Sequence, residues 1–388
     1  MDDGTRSPPL QGEILIAVRI IFLASLLALM PGSSDASEIQ PQASPFPVGV
    51  STRNFVPRDS SYDWRGAREH ALVTTIWYPA KAGSVEQEDW VGPPDAPIAS
   101  AGKAAPDADL AVSPAKFPLI VISHGSGGSA LMMAWLGTRL AAEGYVAAAV
   151  NHPGNNALEP YTTRGFVEWS ERATDLSRVL DAILADRKFG EKIDQSRIGA
   201  AGFSLGGFTV IELAGGIGTL DSFRAFCGSP HADAMCHDQL EFPHLGAWAT
   251  ITYFVSPGLR TSIANSHSSH RDPRIRAIFA IAPALGPAFA PETLEKISLP
   301  VEIVAGADDQ VVPVGSSARY FAARIPRAKL TLYPGGVGHY TFLGTCTENG
   351  KKTRPAICND ATGVDRTAIH EQTANKAAEF FNAQLGDH

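Results

Sequence analysis

The feature that most constrains this chain is a run of six residues, Gly202-Phe203-Ser204-Leu205-Gly206-Gly207, set between an apolar stretch at 197–202 and a helical pattern at 206–213. A G-x-S-x-G at a strand-to-helix junction holds its serine in a sharp, strained turn, and the flanking glycines leave room for opposing backbones. The hydroxyl is thereby presented above the C-terminal edge of a sheet, where a nucleophile would stand. A Gly-rich turn that merely packs a helix on a strand is the structural alternative.

A serine hydroxyl is a weak nucleophile and needs a base, which in turn needs an orienting carboxylate. After an apolar stretch at 301–305, Gly306-Ala307-Asp308-Asp309-Gln310-Val311-Val312-Pro313 puts two acids at a strand end, and after 329–333, Gly335-Gly336-Val337-Gly338-His339-Tyr340 puts a histidine in a Gly-rich loop. The order Ser204, Asp309, His339 is the one such elbows use. Asp309 lies three residues after Gly306 and four before Pro313, so it is expected to orient the imidazole while Asp308 caps the turn.

Acyl transfer also needs two backbone N–H donors for a developing oxyanion. Ser126, in Ser123-His124-Gly125-Ser126-Gly127-Gly128, and Leu205, next to the nucleophile, are the candidates. His124 is expected to brace its loop. Asn151-His152-Pro153-Gly154 ends the next strand, so His152 is either a substrate contact or part of a structural turn; His267 and His270 are expected to be solvated.

Around these loops, short apolar runs alternate with helical patterns. Strands are expected at 48–52, 71–78, 117–123, 145–150, 197–202, 275–281, 301–305 and 329–333. Helices are expected at 130–143, 167–187, 206–213, 316–323 and 367–384. That alternation predicts an α/β chain with a doubly wound, mostly parallel sheet. Residues 81–116, with five prolines, read as a surface loop. Residues 216–273 break the alternation and carry Phe242, Trp248, Tyr253 and Phe254. They are expected to form a cap over the site, with Trp248 as a candidate substrate contact; a decorative insertion is the alternative.

With 44% hydrophobic and 19% charged residues the 388-residue chain can bury a core, which excludes a disordered or multi-span membrane protein. A net charge of −8 lacks the basic footprint of a nucleic-acid binder. An apolar run of eleven residues at 20–30, interrupted only by Ser25, lies behind Arg19, and with Pro31-Gly32 and Ser34-Asp35-Ala36 after it has the layout of an export signal (1–36) cleaved after Ala36; a retained membrane anchor is the alternative. One domain at 37–388 would remain, in the periplasm or secreted. In an oxidising compartment the four cysteines are expected as Cys227–Cys236 and Cys346–Cys358, the second closing a polar segment at 347–356 with too few apolar groups to order itself. The competing assignment makes Cys227, His231, Cys236 and His237 zinc ligands.

The Ser-His-Gly-Ser-Gly-Gly, Gly-Phe-Ser-Leu-Gly-Gly, Gly-Ala-Asp-Asp-Gln-Val-Val-Pro and Val-Gly-His-Tyr segments, in that order, resemble the α/β-hydrolase superfamily. Trp77-Tyr78-Pro79, Asn151-His152-Pro153-Gly154, Ala282-Pro283-Ala284-Leu285-Gly286 and His339-Tyr340-Thr341-Phe342-Leu343 look like exported bacterial predicted dienelactone hydrolases, which are similar to platelet-activating-factor acetylhydrolases. The resemblance spans about residues 46–385. It implies a cofactor-free and metal-free serine esterase for short-acyl or small esters, with Ser204, Asp309 and His339 as triad and Ser126 and Leu205 as oxyanion donors. True dienelactone hydrolases use a cysteine where Ser204 stands here, so the label does not carry their substrate. An exported serine peptidase or amidase, and a non-catalytic binding scaffold, are the alternatives; oligomeric state is not legible.

Overall fold

The computed structural model describes residues 46–59 and 62–386, so the expected export signal at 1–36 lies outside the described residues. The strands are β1 (Val48–Phe55), β2 (Leu72–Pro79), β3 (Gln87–Val91), β4 (Ala99–Pro106), β5 (Phe117–Ser123), β6 (Val146–Val150), β7 (Ile193–Phe203), β8 (Ile275–Ile281), β9 (Val301–Gly306) and β10 (Ala328–Tyr333). The helices are α1 (Ala134–Ala142), α2 (Thr163–Val167), α3 (Glu171–Leu184), α4 (Leu205–Leu213), α5 (Leu220–Cys227), α6 (Leu245–Val255), α7 (Pro257–Asn265), α8 (Pro291–Leu294), α9 (Ala318–Ala322), α10 (Glu348–Thr353), α11 (Pro355–Cys358) and α12 (Arg366–Leu385).

All ten strands form one sheet in the order β10-β9-β8-β7-β5-β6-β2-β1-β4-β3. From β6 to β10 neighbouring strands run parallel, while β2 joins β6 and β1 joins β2 antiparallel. The central strands read as continuous apolar runs because both faces are covered: every residue of β6, Val-Ala-Ala-Ala-Val, is buried. The step from β5 through α1 to β6 goes one way along the sheet, and the step from β6 through α3 to β7 returns past β5. Right-handed crossovers then place α1 and α3 on opposite faces and open a crevice at the carboxyl ends of β5 and β7. Those two strands are neighbours, with Ser123 opposite Gly202.

The structure departs from the sequence expectations in four places. The helix expected at 167–187 is α3 alone, Glu171–Leu184, with Val167 ending α2. Residues 81–116 are not a loop throughout: β3 and β4 pair antiparallel and β4 joins β1 in parallel. The buried residues of β4 are Ala99, Ala101, Ala104 and Ala105, too small to give an apolar signal. Residues 347–356 contain α10, started by the Thr347 hydroxyl accepting from Gly350 N–H at 3.0 Å, and the beginning of α11. Residues 130–143 begin as a 3₁₀ turn, Ala130–Met133, before α1.

Candidate active site

Ser204 occupies the turn between β7 and α4 with φ 56° and ψ −118°, a conformation that side chains rarely adopt. The turn is tight enough to demand its glycines. A Cβ on Gly202 would lie 2.1 Å from the Gly206 carbonyl oxygen, and one on Gly206 would lie 2.0 Å from that of Ser123. Hydrogen bonds from Ser204 N–H to Ile281 C=O (2.9 Å) and from Ala284 N–H to Ser204 C=O (3.1 Å) lock the turn to the end of β8.

Two loops from successive strands close on this serine. His339, in the turn after β10, sets Nε2 2.9 Å from Ser204 Oγ and Nδ1 2.7 Å from Asp309 Oδ2. Asp309 follows β9, and its other oxygen accepts the N–H groups of Val311 (3.0 Å) and Val312 (2.7 Å). With Nδ1–H donated to the carboxylate, Nε2 is left to accept the serine proton. All three side chains are buried, Ser204 most open at 8% exposure. Asp308 instead accepts from Gly336 N–H at 2.9 Å, tying the acid loop to the histidine loop.

The loop after β5 carries Ser126 beside the elbow. Gly127 N–H donates to Asn155 Oδ1 at 2.7 Å, and the Tyr161 hydroxyl donates to Gly127 C=O at 2.8 Å. Leu205 is the first residue of α4, and an N–H at that position has no partner within its own helix. His124 braces the loop as expected: Nδ1 donates to Gly125 C=O (2.6 Å) while Nε2 accepts from His152 N–H (3.2 Å).

Of the two readings of His152, a substrate contact or part of a structural turn, its burial fits the second. Its ring is fully buried, with Nδ1 2.8 Å from Asp175 Oδ2 and Nε2 2.9 Å from Ser123 Oγ. Burial, with the nearby Arg172 charge, pushes it down to about 3, so the ring is neutral at ordinary pH. Trp248 lies half exposed on α6, and none of its hydrogen bonds or ring contacts reaches the Ser204, Asp309 or His339 loops. His267 is exposed as expected, but His270 is largely covered, with Nδ1 3.3 Å from Thr174 Oγ1.

Residues 216–273 form α5, α6 and α7 between α4 and β8. The middle of this segment reaches the Ser126 and His339 loops: Ser126 Oγ donates to Gln239 Oε1 at 2.9 Å and Tyr340 Oη donates to Glu241 Oε1 at 3.2 Å. Gln239 and Glu241 escaped sequence reasoning because a polar residue in a long insertion carries no pattern. Cys227–Cys236 and Cys346–Cys358 are both disulfide-bonded, which overturns zinc ligation by Cys227 and Cys236.

Arg172, Asp175 and Arg65 were also missed. A signal existed for the first two: Arg172 and Asp175 fall on the stripe of α3 that buries Leu176, Val179, Leu180 and Ile183, where charges are out of place.

The model of the family described as platelet-activating factor acetylhydrolase, isoform II, matches residues 100–173. Among curated proteins, the chain is 35% identical over 80 residues to Lipase 1 of Moraxella sp. (strain TA144), covering 21% of this chain and 22% of that one. It is 34% identical over 97 residues to cutinase est1 of Thermobifida alba, covering 24% and 29%. The chain thus spans less than a third of the length of these relatives. Among solved structures, a ferulic acid esterase from Streptomyces cinnamoneus superposes with a TM-score of 0.57 at 20% identity, over 88% of this chain and 91% of that one.

Proposed function

We propose, from the premise that this chain is a member of the α/β-hydrolase superfamily, that it is a serine carboxylic-ester hydrolase acting on small or short-acyl esters through an acyl-enzyme. The observation that carries the reading is the buried hydrogen-bonded chain Ser204 to His339 to Asp309. His339 Nε2 takes the Ser204 proton as Oγ attacks the ester carbonyl, and the charge formed on the carbonyl oxygen is met by the N–H groups of Ser126 and Leu205. Collapse expels the alcohol, which receives the proton from His339. Water, deprotonated by the same imidazole, then frees the acid.

Residues 216–273 cover the site as a cap, since Gln239 and Glu241 meet the oxyanion and histidine loops. Names given to the relatives, lipase, cutinase and ferulic acid esterase, all describe ester hydrolysis. Two disulfides support a periplasmic or secreted site of action. No helix among the described residues is long and apolar enough to cross a membrane.

The test is a chromogenic ester panel of graded acyl length beside a peptide-anilide panel, with Ser204→Ala as control. Short esters should be cleaved, and the variant should lose about a millionfold in kcat. Cleavage of anilides but not esters would make the protein an amidase or peptidase.

A further inference from the structure

We infer that Arg172 is a positioning residue that holds both halves of the oxyanion hole in register, binding the His124 carbonyl of the loop after β5 directly and the Leu205 carbonyl at the start of α4 through the Thr209 hydroxyl. This rests on assigning the N–H groups of Ser126 and Leu205 as the oxyanion donors. Arg172 lies at the start of α3, fully buried beneath both loops. Its Nη2 donates to the His124 carbonyl and to Ser123 Oγ at 3.3 Å. Its Nε donates to Thr209 Oγ1 at 3.2 Å, and that hydroxyl donates to the Leu205 carbonyl at 2.9 Å. One guanidinium thus reaches the carbonyl two residues before Ser126 and, through one hydroxyl, the carbonyl of Leu205 itself. Each held carbonyl fixes its own peptide plane, and that plane lies one residue from a donor: the His124–Gly125 plane precedes the peptide that carries Ser126 N–H, and the Leu205–Gly206 plane follows the one that carries Leu205 N–H, so only the dihedrals of Gly125 and Leu205 are left to aim them.

The protonation of the surroundings leaves a single arrangement. Tyr62 Oη and Arg65 Nη2 donate to Asp175, whose carboxylate is held down near about 2 against its burial by the Arg65 charge and by donors that include His152. Neutral His152 gives Nδ1–H to Asp175 and accepts the Ser123 O–H at Nε2, which leaves the Ser123 oxygen to accept from Arg172. Burial and the Arg172 charge also keep His124 neutral, so its Nε2 can accept from His152 N–H. Every donor in this chain points one way, from Arg172 through Ser123 and His152 to Asp175.

Stability alone does not account for an arginine here. Arg172 has no carboxylate within hydrogen-bond distance among the described residues, and its Nη1 is buried without a partner. Apolar groups of similar volume replace buried charges at little cost or at a gain. What they cannot do is hydrogen-bond the His124 carbonyl and the Thr209 hydroxyl at once, and an ammonium lacks the planar fork to reach both.

The test uses the full chain, reading kcat and KM for p-nitrophenyl acetate, Ki for a trifluoromethyl ketone that mimics the tetrahedral adduct, and the melting temperature. Thr209→Val removes the hydroxyl between Arg172 and Leu205. It should lower kcat about tenfold, leave KM near wild type and weaken the ketone by the same factor. Thr209→Ser, which keeps the hydroxyl, should restore both. Arg172→Met should lose about a hundredfold in kcat, and Arg172→Lys should fall between. Thr209→Val with wild-type kcat and ketone affinity overturns the inference, as does a loss confined to KM or melting temperature. A wild-type chain inert towards every ester overturns the hydrolase reading itself, whereas an active wild type silenced by Ser204→Ala keeps the two failures apart.

Discussion

Asp309 Oδ2 accepts a 2.7 Å hydrogen bond from His339 Nδ1, across a gap of 30 residues in the chain. The neighbouring acid, Asp308, faces Gly336 N–H and does not touch the ring. Asp309→Asn should therefore cost about 10⁴ in kcat, because an amide can stabilise the wrong imidazole tautomer. Asp308→Asn, at a surface turn, should stay within about twofold. Steady-state ester kinetics on both variants decide it, and the opposite ranking would move the orienting role to Asp308.

The positive φ at Ser204 stores strain that a glycine would release. Relief of order 1–3 kcal/mol, less the larger unfolded-state entropy of glycine, should leave Ser204→Gly about 1 kcal/mol more stable than Ser204→Ala. Both variants should be inactive. Equal urea midpoints for the two would show that the elbow carries no strain.

Glu212 is fully buried on α4, and burial pushes its carboxyl well above the usual 4.5, more than the Gly218 N–H offsets. Above that value the unfolded chain releases its proton while the folded chain keeps one, so this group lowers stability as pH rises. Glu212→Gln does not titrate. Its melting temperature relative to wild type should therefore rise between about pH 5 and about pH 8. A difference that stays constant over this range would mean that the folded carboxyl is ionised.

Asp360, two residues after Cys358, accepts from the Thr341 hydroxyl at 2.7 Å and from Arg366 Nε at 2.8 Å, so the chain leaving the bridge is tied to the turn that carries His339. The double variant Cys346→Ser, Cys358→Ser should lose about 3 kcal/mol of stability in the loop-entropy account. It should also lose about tenfold in kcat through displacement of the base. A stability loss with unchanged kcat would make the bridge a surface staple only.

The parts of the fold legible in the sequence were those written in local pattern. The apolar runs of β5 and β8 match the structure residue for residue, at Phe117–Ser123 and Ile275–Ile281. Gly202 and Gly206 announced the elbow because only glycine tolerates so close a backbone approach. Ser204, Asp309 and His339, read from the sequence as a candidate triad, come within hydrogen-bond distance of one another in the structure, each from a turn that follows a strand of the sheet. The cysteine pairs followed from separations of 9 and 12 residues.

What the sequence could not carry was decided by long-range closure of the sheet. β4 becomes a strand only because β1 and β3 offer it backbone partners, and its alanines announce nothing by themselves. His152 reads as a crevice residue until Asp175 and Ser123 occupy both ring nitrogens. Arg172 is one more charge on an amphipathic helix until the neighbouring alignment of β5 and β7 brings His124 and Thr209 to it. Apolar period and glycine are properties of a short segment, so the chain by itself determined the central strands, the elbow and the order of the Ser204, Asp309 and His339 loops. A buried polar group is stable only when distant partners satisfy it, so the network beneath the oxyanion loops was decided by the tertiary structure alone.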